Sequence, residues 1–164
     1  MILNIVIDTN IICNSCNGSC NLYMDSIFVL AEILQKQSLF LSLDTNNKLR
    51  TEYKNTTNRL SSSEFFQKWF VNMETQMKIS YIFVQNKKGI ENKLDNLGFH
   101  SEIDRLIVHL ALESSPSYIA TEDSDFGKGP RGKEHVEALN YLNNDLNITV
   151  HDTKQALNFL RNNL

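Results

Sequence analysis

Acidic side chains follow two apolar segments that are predicted to be buried strands. Asp8 comes directly after residues 2–7, and Asp123 and Asp125 follow the strand predicted at residues 117–120. Parallel sheets bind ligands outside the carboxyl ends of their strands, so we expect these acids at one edge of a sheet. A purely structural interpretation remains open at each position. Asp8 could only cap the following helix, and the other two acids could only stabilise a turn.

A fourth acid, Asp104, lies on the helix predicted at residues 101–113. The helix has a polar stripe formed by Glu102, Arg105, His109 and Glu113. At 100° per residue, Asp104 points roughly 150° away from that stripe, among apolar residues. A carboxylate facing a core costs several kcal/mol unless it is paired or binds a metal. The alternative is a buried Asp104 satisfied by a helix terminus or a lysine.

Glu52 lies at the edge of the apolar stripe formed by Leu49 and Tyr53 on a helix predicted at residues 46–58. From there it could reach across the sheet edge toward Asp8, or it could be a solvated surface acid. Crowded carboxylates raise one another's pKa values unless cations neutralise them, and Mg²⁺ or Mn²⁺ are the suitable counter-charges. Two such ions roughly 4 Å apart support phosphodiester cleavage. This constellation favours a metal-dependent nuclease.

The elements that would position these acids alternate along the chain. Strands are predicted at residues 2–7, 39–43, 79–84, 117–120 and 147–150. Helices are predicted at residues 22–37, 46–58, 87–96, 101–113, 134–144 and 153–163, with another beginning at Ser63. Because a crossover helix usually connects parallel strands, this alternation predicts a parallel α/β fold.

Length, composition and charge are typical of one globular domain spanning residues 1–164. The net charge of −3 argues mildly against a nucleic-acid binder, although a total can hide a segregated pattern. We see neither a signal-peptide pattern nor an apolar run long enough to span a membrane, and we therefore expect a cytoplasmic protein.

Three cysteines, Cys13, Cys16 and Cys20, have a spacing that suggests a metal or iron–sulfur site. A fourth ligand is missing nearby, whereas structural zinc sites and most clusters use four. We therefore interpret them as reduced thiols without a function in a turn-rich segment.

Two sets of basic residues could hold nucleic-acid phosphates. Lys128, Arg131 and Lys133 follow the Asp123–Asp125 acids in a Gly-rich loop, and Lys48, Arg50 and Lys54 surround Glu52. Backbone contacts of this kind supply most sequence-independent affinity, and glycines would let the loop approach a strand closely. Either set could equally be ordinary solvated surface.

Four short motifs in this order make the chain resemble the PIN-domain ribonucleases. They are VIDTN at residues 6–10, LRTEY at 49–53, IDRLI at 103–107 with Ala111, and IATEDSDF at 119–126. The resemblance covers nearly the whole chain. It implies a three-layer α/β/α sandwich around a central parallel five-stranded sheet with strand order 3-2-1-4-5.

The same resemblance implies an endoribonuclease that depends on Mg²⁺ or Mn²⁺. Asp8, Glu52, Asp104 and Asp123 would bind metal, Asp125 is an additional candidate ligand, and Asn10 and Thr121 would orient the acids. Many small members are toxins restrained by an antitoxin, often as homodimers. This chain departs from compact toxins at residues 13–21 and between Asp125 and the last strand.

Three other functions compete with the ribonuclease hypothesis. A phosphatase with an aspartyl nucleophile would need an acid two residues after Asp8, where Asn10 stands. An inactive PIN-like module that binds RNA or protein would have no reason to keep a buried Asp104. A nuclease of the same fold that prefers DNA remains open.

Overall fold

A computed structural model describes residues 2–60 and 62–163. Its sheet contains five parallel strands in the order β3-β2-β1-β4-β5, which confirms the predicted topology. The strands are β1 (Leu3–Ile7), β2 (Leu39–Asp44), β3 (Ile79–Ile82), β4 (Tyr118–Ala120) and β5 (Thr149–His151). In the central strand β1, Ile5, Val6 and Ile7 are fully buried, as expected for a strand covered on both faces.

Helices cover the sheet and complete the three-layer α/β/α sandwich. In the described part of the chain they are α1 (Thr9–Ser15), α2 (Tyr23–Gln35), α3 (Lys48–Thr57), α4 (Ser63–Thr75), α5 (Lys88–Asn96), α6 (Glu102–Glu113), α7 (Val136–Asn140) and α8 (Thr153–Asn162). Helix α6 packs on β1, β2 and β4, and α2 packs on β2 and against α8. None of the helices in residues 2–60 and 62–163 combines the length and apolar character needed to cross a membrane.

Two hydrogen-bonded side chains attach α3 to the sheet. Asp44 ends β2, and its carboxylate accepts the backbone N–H groups of Lys48 and Leu49 in the first turn of α3, both at 2.9 Å. The buried Tyr53 hydroxyl donates to the carbonyl oxygen of Ile7 at the end of β1. Helix α3 is therefore held beside the strand end that carries Asp8.

Most predicted elements differ from the structure only at their ends, but two segments have a different structure and one residue lies in a different environment. Helix α1 begins at Thr9, so Cys13 belongs to a helix and not to a turn. The helix predicted at residues 134–144 is a 3₁₀ turn, the short helix α7 and a π turn at Tyr141–Asp145. His109 is buried, because α5 contributes Glu91, whose Oε1 lies 2.7 Å from His109 Nε2. The polar stripe of α6 is thus partly an internal contact surface.

Candidate functional site

The carboxyl edge of the sheet opens into a cleft of about 360 Å³ lined by four acids. Asp8 reaches it from the end of β1, Glu52 from α3, Asp104 from the first turn of α6 and Asp123 from the turn after β4. Within residues 2–60 and 62–163, none of these four carboxylates takes part in an ion pair. The cleft therefore concentrates acidic groups that no cation in the described part of the chain pairs with.

Asp8 is held in place by two side chains that the sequence also marks. Its Oδ2 accepts hydrogen bonds from Thr121 Oγ1 at 2.6 Å and from Asn10 Nδ2 at 2.8 Å. Asn10 Oδ1 in turn accepts the backbone N–H of Glu122 at 3.0 Å, which ties α1 to the turn after β4. Asp8 occupies the N-cap position of α1, but its side chain makes no capping hydrogen bond there. Its carboxylate instead belongs to a network between β1 and β4.

The pKa values of Asp8 and Asp104 show how crowded the cleft is. Burial, opposed by the Thr121 hydrogen bond and reinforced by the charge of Asp123, raises the pKa of Asp8 to about 6. The pKa of Asp104 is raised to about 7. Burial is the largest cause, and the charges of Asp8, Asp123 and Asp125 raise it further. Shifts in this direction are expected where carboxylates lose water and repel one another.

The local fold of α6 explains why Asp104 faces the cleft. Ser101 caps the helix, and its Oγ accepts the backbone N–H groups of Ile103 and Asp104 at 3.2 and 3.3 Å. This cap starts the helix so that Asp104 lies in its first turn, at the mouth of the sheet edge. Asp104 thus points inward as predicted, but it is half-buried at the cleft and does not lie in the core.

Glu52 also faces the cleft, together with Thr56 one turn later on α3. Thr56 Oγ1 donates to the backbone carbonyl oxygen of Glu52 at 2.6 Å and lies 3.2 Å from Glu52 Oε1. The structure therefore places Glu52 with the other acids and not on the open surface.

Asp123 and Asp125 occupy different positions after β4. Asp123 lines the cleft, and its Oδ1 also accepts the backbone N–H of Asp125 at 2.8 Å, so the expected turn contact and the site position coexist. Asp125, the additional candidate ligand, does not line the cleft, and its Oδ1 lies 3.9 Å from His135 Nε2. It acts on the cleft through its charge, which contributes to the raised pKa of Asp104.

The donor set fits a hydrated hard cation. Across residues 2–60 and 62–163, no three His, Cys, Asp or Glu side chains are grouped closely enough to hold a metal ion by themselves. Mg²⁺ usually keeps several waters and takes only one or two protein carboxylates, so a closed cage is not required. Thr9 also lines the cleft, and within residues 2–60 and 62–163 its buried Oγ1 has no hydrogen-bond partner. Four carboxylates that form no ion pair in the described part of the chain have the chemistry of such a site.

The predicted phosphate-binding residues Lys128, Arg131 and Lys133 do not line the cleft. Lys128 Nζ donates to Gln155 Oε1 on α8 at 2.8 Å, and Arg131 and Lys133 are exposed on the loop. A Cβ added at Gly129 would lie 2.0 Å from the carbonyl oxygen of Glu122. Gly129 thus lets the loop pack on the acidic turn itself, which differs from the expected approach to nucleic acid.

Sequence reasoning missed Cys13 as a cleft residue. The cysteine lies on the same face of α1 as Thr9 and Asn10, and burial raises the pKa of its thiol to about 11. The signal was the helical spacing of residues 9, 10, 13 and 14, which becomes visible once the helix is known to begin at Thr9. All three cysteines are free thiols, and Cys16 belongs to the core.

Comparison with known proteins adds no assignment, since neither a protein-family model nor a curated protein matches the chain.

Proposed function

We propose that the protein is an endoribonuclease of the PIN-domain type that hydrolyses phosphodiester bonds with Mg²⁺ or Mn²⁺. The observation that carries the proposal is the convergence of Asp8, Glu52, Asp104 and Asp123 on one cleft, with no ion pair to any of them among residues 2–60 and 62–163. Two of these carboxyls have pKa values near neutrality, which is typical of functional sites. RNA is proposed as the substrate because the ordered motifs resemble those of PIN-domain ribonucleases.

The side chains that line the cleft would have different roles according to their positions. Asp8 and Asp104 would hold the cation, with Glu52 and Asp123 contributing directly or through water. Asn10 and Thr121 keep the Asp8 carboxylate in one orientation through their hydrogen bonds to Oδ2. A bound Mg²⁺ or Mn²⁺ would neutralise the carboxylates and stabilise charge that develops on the phosphodiester.

Cleavage of end-labelled single-stranded RNA and DNA of mixed sequence tests the proposal. Wild-type protein is expected to cleave RNA with Mg²⁺ or Mn²⁺ and to be inactive with EDTA. Asp8→Asn and Asp104→Asn should each lower the rate by at least about 100-fold, the scale expected when a positioned catalytic group is lost. Asp145→Asn, an exposed acid of the π turn, is the matched control and should cleave normally.

Three results would count against the proposal. Metal-independent cleavage would exclude the carboxylate cleft as the site. Full activity of both cleft variants would do the same. Cleavage of DNA but not of RNA would support the proposed nuclease activity and refute RNA as its substrate.

A further inference from the structure

A second concave surface lies between α3 and α4, outside the acidic cleft. It encloses about 400 Å³ and is lined by Arg50, Lys54, Asn58, Gln67, Phe70 and Glu74, among others. This volume is within the usual range of small-molecule sites. We call it the α3–α4 groove.

The groove contains an ordered guanidinium beside an aromatic ring. The Arg50 guanidinium carbon lies 4.9 Å from the centre of the Phe70 ring, and Arg50 Nη2 lies 2.9 Å from Glu74 Oε1. The Phe70 side chain is otherwise buried, and the centre of its ring lies 5.7 Å from that of Phe66. Phe70 and Glu74 therefore hold Arg50 in place and leave it partly exposed to solvent.

The other groove residues are suited to a nucleotide. Lys54 is exposed, and in residues 2–60 and 62–163 it forms no ion pair, so its ammonium group can meet a phosphate. Asn58 and Gln67 are exposed side-chain amides, which can donate to and accept from a base edge. Nucleobases stack on arginine planes and aromatic rings in single-stranded RNA complexes.

The groove shares α3 with the proposed active site. Arg50 and Lys54 are each two residues from Glu52, which places them about 160° around the helix from it. A strand leaving the cleft would cross the exposed face of α3 at Thr51 and Asn55 before it reached the groove. A path of about 160° around a helix about 10 Å across is about 14 Å long, which corresponds to about four stacked nucleotides at about 3.4 Å each.

We propose that the α3–α4 groove binds one nucleotide of the single-stranded RNA substrate, about four nucleotides from the scissile phosphodiester. The base stacks on the outer face of the Arg50 guanidinium, and the phosphate contacts Lys54. The inference rests on the proposed ribonuclease function for the identity of its ligand, and its test is a binding measurement that needs no cleavage.

Fluorescence anisotropy with a labelled mixed-sequence 12-nucleotide single-stranded RNA, in EDTA and at several salt concentrations, measures this binding. Lys54→Glu is expected to weaken binding about tenfold or more at low salt and to reduce the salt slope by about one. Arg50→Lys keeps the charge but removes the planar stacking surface, and it should weaken binding at least about threefold. Lys88→Glu makes the same charge change at an exposed position of α5 and should stay within about twofold of wild type.

The outcomes separate this inference from the nuclease proposal. RNA binding that depends on Lys54 and Arg50, in a protein that cleaves nothing, would support the groove and refute the nuclease. Cleavage with unchanged binding in both groove variants would refute the groove alone. Equal losses in Lys54→Glu and Lys88→Glu would overturn the groove as well, because they would indicate a general charge effect. No RNA binding by the wild type would also overturn it and would favour a protein occupant.

Discussion

Replacing either crowded carboxylate of the cleft with its amide should stabilise the cation-free protein at pH 8, although the same change lowers the cleavage rate. The pKa of Asp8 is raised to about 6 and that of Asp104 to about 7, both from 3.8. The folded protein therefore binds these protons more tightly than the unfolded chain does. Their stabilising contribution is complete in acid below the unfolded pKa and is lost as the pH rises through the folded values.

The size of the effect follows from the Asp8 shift. A rise from 3.8 to about 6 corresponds to about 3 kcal/mol of unfolding free energy lost by pH 8, at about 1.36 kcal/mol per unit. Asp104 is only partly buried, so solvent screening reduces its share. For a chain of this size, about 3 kcal/mol corresponds to a Tm difference of about 6 to 12 °C. Asp8→Asn should recover most of this difference, because the amide keeps an oxygen for the Thr121 hydroxyl.

Thermal unfolding followed by circular dichroism in EDTA at pH 5, 6, 7 and 8 provides the assay. The Tm advantage of Asp8→Asn and Asp104→Asn over wild type should grow from pH 5 to pH 8, while Asp145→Asn follows wild type. Apart from the substituted acid, the three variants and the wild type share the same titrating groups. The differences in Tm between them therefore report on the two cleft carboxyls. A constant wild-type advantage across this range would refute the crowded, desolvated cleft.

Added cation provides an independent readout in the same experiment. Mg²⁺ at about 100 times its Kd should stabilise the wild type by about 2.7 kcal/mol at pH 8. The gain should shrink at pH 5, because protons and cations compete for the same carboxylates. It should also shrink in Asp8→Asn. Equal Mg²⁺ stabilisation of wild type and both cleft variants would place the cation elsewhere.

Three further predictions follow from other contacts. Lys78 is buried, and its ammonium group donates to the carbonyl oxygens of Ile33, Leu34 and Lys36 at the C-terminal end of α2. Lys78→Met should therefore lower the unfolding free energy, measured by urea denaturation, by about 2 kcal/mol or more. Ser101→Ala removes the cap of α6 and should lower the unfolding free energy by about 1 kcal/mol in the same measurement. It should also lower the cleavage rate, because Asp104 lies in the uncapped turn. An unchanged rate would show that the cap does not position Asp104. Charge reversal of Arg131 and Lys133 together should weaken RNA binding and flatten its salt dependence if the exposed loop guides substrate, and unchanged anisotropy titrations would remove the loop from the binding surface.

Much of the fold and part of the site were predictable from local patterns. The apolar, β-branched residues before Asp8 predict a strand buried on both faces, and Ile5, Val6 and Ile7 are fully buried. The off-stripe position of Asp104 within an otherwise regular helix predicts an inward carboxylate, and Asp104 lines the cleft. Such predictions succeed because periodicity reports which face of one element avoids water.

Relations between elements were decided only by the tertiary structure. His109 has the spacing of a surface residue, yet α5 covers it and supplies Glu91 as its partner. Lys128 follows the acids in sequence but contacts Gln155 on α8, whereas Cys13 enters the cleft because α1 begins at Thr9. The alternation of strands and helices and the placement of acids at strand ends could be determined from the sequence by itself. Which side chains share a cleft depends on distances across the fold, and local periodicity contains no information about those distances.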